Sequence, residues 1–425
     1  MMRAAWERFY AWRAQARNTE PMSDVGYRVL TLGGQTWPTE LETLHLLVAG
    51  TTGAGKSMLI EELLDAIRAR GNRAIVCDPN GGYLRHFAED GDRLLNPFDA
   101  RGEGWTVFNE LRADFDADRL AASIVPAGHG ESAPWHHYAQ VLLAEVLRAL
   151  VRSGETTTER LLHWCTSAPA RELGALLAGT PAVGLFDEGA DKALASTRFV
   201  LTAHLSPHRF IKPGSFSLRD WLEREDGRLF MTWRADMQAA LAPLLASWAD
   251  IVTNAVLTLP PDATRRIWLV LDELAALGKL NGLEAGLTLG RKHGLAVVAG
   301  LQSTAQLDRL YGRESATVLR ACFRNLVVLA IAKSDPRTAD ELSRALGERE
   351  VLRQEVSRSN GAGGLGESQS LRHAQERLVM ASELAGLPNL AGYLALAGDE
   401  PVRRLRLMPK AREEVTEAFV SEDAC

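Results

Sequence analysis

The sequence predicts an α/β fold: a central, mainly parallel twisted sheet with helices between its strands, interrupted by an all-α segment. Three observations predict it. Apolar runs of strand length recur at 44–49, 73–77, 228–232, 266–271, 295–300 and 325–332. Stretches with helical periodicity lie between them, notably 58–70, 237–257 and 274–292. From about Gly104 to Trp221 the texture changes to helical stretches, with little that reads as a strand.

In chain order, residues 3–17 mix Trp6, Phe9, Tyr10 and Trp12 with Arg3, Arg8, Arg13 and Arg17. That pattern fits either an amphipathic helix packed on its own domain or a segment near a membrane surface. The strand 44–49 leads into a glycine-rich loop at 50–57. The helix 58–70 follows, with Leu59, Ile60, Leu63, Leu64 and Ile67 on one face, Glu61, Glu62 and Arg68 outside, and Gly71 as its stop. The strand 73–77 breaks at the turn cluster Asp78-Pro79-Asn80-Gly81-Gly82. Within the insertion, helices are expected over 135–152, 157–165, 171–178 and 192–205. After the last buried strand, 357–370 is rich in Gly and Ser and reads as a flexible loop. Segments 393–397 and 402–407 read as a closing hairpin. The tail, with Glu413, Glu414, Glu417, Glu422 and Asp423, reads as acidic and frayed. No internal repeat is visible.

Length and composition bound the function. A chain of 425 residues, 46% hydrophobic and 24% charged, is ordinary globular material of two or three domains, not a disordered, collagenous or coiled-coil chain. A formal charge of -6 excludes a surface that is basic all over, so any nucleic-acid contact must come from a local patch or a pore lining. Cys77, Cys165, Cys322 and Cys425 have no metal-ligand spacing and read as reduced thiols. The longest purely apolar run, 326–332, is far shorter than a membrane span, and residues 1–17 lack a signal-peptide core, so the chain is expected to be soluble.

Gly50-Thr51-Thr52-Gly53-Ala54-Gly55-Lys56-Ser57 fits the phosphate-binding pattern G-x-x-x-x-G-K-[ST] at every fixed position. Such a loop folds its N–H groups around phosphate oxygens, and the following helix directs its positive end at the same anion. Lys56 would reach the β- and γ-phosphates, and the Ser57 hydroxyl would bind Mg²⁺. The apolar run 267–271 ends in Asp272 and Glu273. A carboxylate at the end of a buried strand wants a cation, and Mg²⁺ through water suits Asp272. Glu273 would then act as general base. Gln302, just past the strand 295–300, either senses the γ-phosphate or caps the next helix. Arg291 is either an arginine finger aimed at a neighbouring subunit or a cation balancing a helix C-terminus. His204 and His208 read as structural, because Pro207 breaks the helix that would align them.

The sequence resembles the conjugative coupling proteins of type IV secretion, and especially the TrwB-like members of the TraD/TraG family. The resemblance runs from about Thr43 to Leu407. It is carried by GTTGAGKS, CDPNGGYL, LNPFDARGEGWTVFNE, FMTWRADM, LVLDELAALGKL, GRKHGLAVVAGLQSTAQLD and ERLVM. It implies a RecA-like P-loop NTPase domain at 31–103 and 222–425, an all-α domain at 104–221, and a membrane-proximal segment at 1–30. It also implies ATP and Mg²⁺ as cofactors, a hexameric ring around a channel, and sequence-tolerant DNA translocation that joins a relaxase–DNA complex to a secretion channel. Lys56 and Ser57 match the family's first nucleotide motif, Asp272 and Glu273 the second and Gln302 the third. Arg291 matches the arginine finger. Trp135 matches an aromatic position near the ring entrance, with core packing as its other reading. The family works at the cytoplasmic face of the bacterial inner membrane. Its N-terminal transmembrane hairpin has no counterpart here, so the chain is expected to be either a soluble fragment or a form whose membrane part is absent or separately encoded; as a soluble fragment it would be a monomer that assembles only on DNA. Two other readings are a different DNA pump of the FtsK/HerA-like class and an ATP-dependent docking platform for protein substrates. A small-molecule kinase is weakened by the long helical insertion.

Overall fold

The structure is a computed structural model that describes residues 29–421, apart from 129, 362 and 363. The aromatic-basic segment 3–17 lies outside the described residues. A small antiparallel hairpin, β1 (Leu30–Leu32) and β2 (Gln35–Trp37), precedes the main sheet. The sheet strands follow: β3 (Leu46–Ala49), β4 (Arg73–Pro79), β5 (Arg93–Leu95), β6 (Arg228–Trp233), β7 (Ile267–Leu271), β8 (Leu295–Leu301) and β9 (Asn325–Leu329). A long ribbon, β10 (Glu348–Gly361) and β11 (Gly364–Arg377), stands apart from it, and β12 (Ala391–Ala395) and β13 (Arg403–Arg406) close the sheet. The nine strands lie in the order β13-β12-β9-β3-β8-β7-β4-β6-β5. All neighbours from β9 to β5 are parallel, whereas β12 is antiparallel to both β9 and β13.

The strands β3, β7 and β8 are buried along their whole length, which is why each reads as a continuous apolar run. Alternate residues feed two cores. On one face Leu46, Val48, Trp268, Val270 and Val298 meet the helix Lys56–Ala69, which presents Leu59, Ile60, Leu63, Leu64 and Ile67. On the other face Leu47, Leu269, Leu271, Val297 and Ala299 share one core with the helices between β5 and β6. Among the described residues no named strand falls in that insertion. Its long helices are Ala133–Ser153 and Asp191–Leu205. The helix Gln238–Val256 has the length and mean hydropathy (1.3) of a membrane span, but 67% of its apolar window is buried, with Leu241, Leu245, Trp248 and Val252 in this core.

Three expectations are corrected. The helix expected over 274–292 is broken into a 3₁₀ turn (Leu274–Leu277), a short helix (Leu283–Leu289) and a second 3₁₀ turn (Gly290–His293). Gly278 takes a positive φ, and the buried Asp250 carboxylate accepts the Gly282 N–H, so a polar anchor in the core replaces the helical ladder. The segment 357–370 is part of the β10–β11 ribbon, paired residue by residue from Glu348↔Arg377 to Gly361↔Gly364. Backbone pairing needs no apolar side chain, so composition alone misses it. The tail is docked instead of frayed. Arg412 bridges Glu61 and Asp65, Val415 N–H donates to Arg85 O at 2.9 Å, and Ala100 N–H donates to Val420 O at 2.8 Å. Glu422 and Asp423 lie outside the described residues.

At the edge of the sheet away from the glycine-rich loop, Glu42 is fully buried between Arg70 (2.7 Å) and Arg266 (2.8 Å). Burial raises the Glu42 carboxyl above its ordinary value, and the two guanidiniums pull against that. Removing one partner of such a buried group strands the others. Glu42→Ala is expected to lower unfolding free energy by about 3 kcal/mol or more in urea denaturation; a loss near zero would show that the triad is solvated.

Candidate active site

Parallel pairing aligns the strand ends. Ala49 lies opposite Leu301, and Leu271 opposite Ala299, so Gly50, Asp272 and Gln302 emerge at one edge of the sheet. β4 lies beside β7, with Cys77 opposite Leu271, which brings Asp78 to the same edge. Gly300 permits the close approach: a Cβ there would sit 1.7 Å from the Asp272 carbonyl oxygen.

The loop 50–55 is held by backbone bonds to its neighbours. Gly50 N–H donates to Leu301 O at 3.0 Å, Thr51 N–H to Ala330 O at 2.9 Å, and Leu390 N–H to Ala54 O at 2.9 Å. Gly55 caps the helix Lys56–Ala69 with a positive φ of 116°, so the first helical N–H groups open toward the loop. Lys56 is buried, and its ammonium group donates to Gly50 O at 2.7 Å. Burial lowers the Lys56 ammonium below its ordinary value, while Glu273 and then Asp272 hold it up.

Gln302 joins the motifs. Its amide nitrogen donates to Glu273 Oε2 at 2.6 Å, and its amide oxygen accepts from the Thr52 hydroxyl at 3.2 Å. The cap of the following helix is Ser303, in a capping box with Gln306, so the Gln302 side chain is free for the cleft. Burial raises both Asp272 and Glu273. The Tyr83 hydroxyl, Lys56 and Ser57 pull Asp272 back, and Gln302 and Lys56 pull Glu273 back. Thr52, Gly53, Gly55, Lys56, Ser57, Asp272, Glu273 and Gln302 line one cleft of about 580 Å³. Glu273 Oε1 has no hydrogen-bond partner there. A cradle of N–H groups, one ammonium, a hydroxyl and two desolvated carboxylates fits a phosphate chain with a divalent cation.

Two predicted residues lie elsewhere. Arg291 is exposed in the turn before β8, at the opposite edge of the sheet, in a second cleft with Thr39, Glu40, Arg266 and Lys292. Trp135 is half-buried in the first turn of the helix Ala133–Ser153, its ring 6.1 Å from that of Tyr138, away from the cleft and outside the insertion's apolar core. His204 and His208 are packed, as their sequence context implies. Burial pushes both down to about 4, and His208 lies 5.9 Å from the Trp105 ring.

Sequence reasoning passed over Asp78, Asn80, Tyr83 and Leu390. Asn80 and Leu390, both at positive φ, line the cleft. Asp78 ends a buried apolar strand just as Asp272 does, and that signal was readable. Its Oδ2 accepts the Leu84 N–H at 2.7 Å, and Oδ1 has no partner.

Burial raises the Asp78 carboxyl from 3.8 to about 7. Below 3.8 the folded and unfolded states both hold the proton; as pH climbs from there to about 7, the unfolded state ionises first and the fold loses stability. Asp78→Asn keeps an acceptor and removes the ionisation. Its stability relative to the parent should rise by about 2 kcal/mol between about pH 5.5 and 7.5. Urea unfolding at both pH values checks this, and a constant difference contradicts it.

The chain matches a family described as the type IV secretion-system coupling protein DNA-binding domain, over residues 29–408. It is 30% identical to the coupling protein TraD of Escherichia coli (strain K12) over 401 residues, which cover 90% of this chain and 55% of TraD. It therefore spans just over half the length of that relative. Its fold is similar to the bacterial conjugative coupling protein TrwBdeltaN70 in an unbound monoclinic form, with a TM-score of 0.88 and 43% identity, covering 95% of this chain and 93% of that one. It is likewise similar to the plasmid coupling protein TrwB in complex with ADP and Mg²⁺, with a TM-score of 0.86 and 43% identity, covering 95% and 94%. With the family pattern spanning most of its length and a RecA-like α/β sheet carrying the cleft, this chain belongs to the conjugative type IV coupling proteins.

Proposed function

We propose that the chain is the ATP-hydrolysing motor of a DNA translocase that links a relaxase–DNA complex to a type IV secretion channel in bacterial conjugation. The observation that carries this reading is the convergence of the loop 50–57, Asp272, Glu273 and Gln302 in one cleft. Solved TrwB structures with ADP and Mg²⁺, and with a non-hydrolysable ATP analogue, support ATP as the nucleotide. The family description, a DNA-binding domain, supports DNA as the cargo. By family relationship the chain works at the cytoplasmic face of the inner membrane, with secretion-channel proteins as partners. Residues 31–103 and 222–425 form the motor unit, and 104–221 form the helical unit.

In this mechanism the N–H groups of residues 50–57 bind the phosphate oxygens, and Lys56 leaves Gly50 O to reach the γ-phosphate. Ser57 and Asp272 would hold Mg²⁺, which neutralises charge on the β- and γ-phosphates. Glu273 Oε1, unpaired and desolvated, accepts the proton of the attacking water, while Gln302 fixes the other carboxylate oxygen. Hydrolysis changes what Gln302 meets, and its bond to Thr52 carries that change into the loop. Arg291, at the far edge of its own sheet, serves a neighbouring subunit's cleft, which makes a ring, hexameric in the family, the working form. Trp135 is a DNA contact at the ring entrance. Binding to DNA is dominated by phosphate contacts, tolerant of sequence and weakened by salt.

Lys56→Ala and Glu273→Gln are each expected to lower DNA-stimulated ATP turnover by about 100-fold or more, with Glu273→Gln still binding ATP. Turnover that DNA leaves unchanged in the parent would favour the docking-platform reading. Arg291→Ala should bind nucleotide normally yet hydrolyse poorly. Mixing it with Lys56→Ala should recover activity, because an intact loop and an intact arginine then meet across the interface; no recovery in mixed assemblies would place Arg291 outside the site.

A further inference from the structure

The segment that follows Glu273 leaves the cleft and ends against the helical insertion. It starts as the 3₁₀ turn Leu274–Leu277, and Ala276 in that turn lines the cleft with Glu273. Gly278 then turns the chain at a φ of 78° and a ψ of -157°, a conformation open almost only to glycine. Leu274, Leu277 and Leu280 anchor the segment in the core that the sheet shares with the insertion. No continuous helical ladder runs through it, so Gly278 is where a backbone rotation is absorbed.

The far end of the segment grips the insertion. The Asn281 amide nitrogen donates to Ala122 O at 2.6 Å, and its amide oxygen accepts the Ala127 N–H at 3.3 Å. Lys279 donates to Ala127 O at 3.1 Å. Asn281 thus spans the last turn of the helix Asp116–Ile124 and the loop after it. The helix Ala133–Ser153 holds the other side of that loop. Gln140 donates to Val125 O at 2.8 Å, His136 Nδ1–H donates to Pro126 O at 2.6 Å, and a Cβ at Gly128 would sit 2.8 Å from the His136 ring. Trp135 stands beside His136 at the start of the same helix. A second route reaches this joint from the cleft. Leu280 N–H donates to the Tyr311 hydroxyl at 3.1 Å, and Tyr311 ends the helix that starts at Thr304, just past Gln302.

We propose that Asn281 is a positioning residue that couples the nucleotide cleft to the helical unit. When the groups around the γ-phosphate shift, the segment 274–282 carries the shift through Asn281 to the loop 125–128 and the start of the helix bearing Trp135. DNA held there acts back on Glu273 by the same joint. The proposal rests on the reading of the chain as a DNA-dependent ATPase and names how that site is regulated. Coupling between two ligands is reciprocal, so each changes the other's affinity by the same factor. Asn281 touches neither ligand, so its loss lowers that factor and spares each separate affinity.

The test uses the full chain with a fluorescent non-hydrolysable ATP analogue, Mg²⁺ and a DNA duplex carrying a single-stranded tail. In the parent, DNA is expected to tighten analogue binding about fivefold or more. In Asn281→Ala that gain is expected to shrink to about twofold or less. Analogue affinity without DNA, DNA affinity without nucleotide, and assembly on DNA by light scattering should each stay within about twofold of the parent. Asn281→Asp has the same shape, keeps the oxygen that faces Ala127 and removes the donor to Ala122, so it should lose coupling without opening a cavity. Full coupling in both variants overturns the proposal, and so does a parent that binds both ligands without coupling. A loss of either separate affinity, or of assembly, in step with the coupling also overturns it and marks Asn281 as a packing residue. A parent that binds neither nucleotide nor DNA removes the motor reading itself, a result distinct from failure of the variants alone.

Discussion

Parallel hydrogen bonding between β3, β8 and β7 is the constraint on which the rest of this structure depends. With all three strands running the same way and Ala49 level with Leu301, their C-terminal ends cannot avoid one another. Each end delivers one piece of chemistry: the phosphate loop, the two carboxylates and the glutamine. A one-residue slip of β7 would turn Leu269 and Leu271 out of their core and put Trp268 and Val270 in their place, so apolar packing on both faces holds the register that the cleft needs.

The buried carboxylates show what this alignment costs. Asp78, Asp272 and Glu273 share one low-dielectric edge, and burial raises all three. Compensation is partial: the Leu84 N–H for Asp78, the Tyr83 and Ser57 hydroxyls for Asp272, the Gln302 amide for Glu273, and the Lys56 ammonium near both Asp272 and Glu273. Protein groups alone leave Glu273 Oε1 and Asp78 Oδ1 without partners. A site built this way favours a cation and a polyanion together, since each lowers the cost of holding the other.

Much of this was legible in the sequence, for a physical reason. Parallel strands buried on both faces must be apolar throughout, so β3, β6, β7, β8 and β9 stood out, and the glycine-rich loop had to follow the first of them. The position of Gln302 just past a strand marked it, although only the structure shows that Thr52 and Glu273 are its partners. What stayed hidden depends on contacts distant in sequence. The Asp250 carboxylate breaks the helix after Glu273 by taking the Gly282 N–H. The tail docks because Arg412 finds Glu61 and Asp65, and the Gly/Ser-rich segment becomes a ribbon through backbone pairing. Asp78 is legible by the same rule as Asp272, because it too ends a buried apolar strand, although the turn residues Pro79 to Gly82 that follow it also fit an ordinary loop.

The most direct test of the central claim is a crystal structure of this chain with a non-hydrolysable ATP analogue and Mg²⁺. The account predicts triphosphate density cradled by the N–H groups of residues 50–57, a metal between Ser57 and Asp272, and Glu273 facing the γ-phosphate. Nucleotide bound away from that loop, or bound there with Asp272 and Glu273 turned from the phosphates, would contradict it.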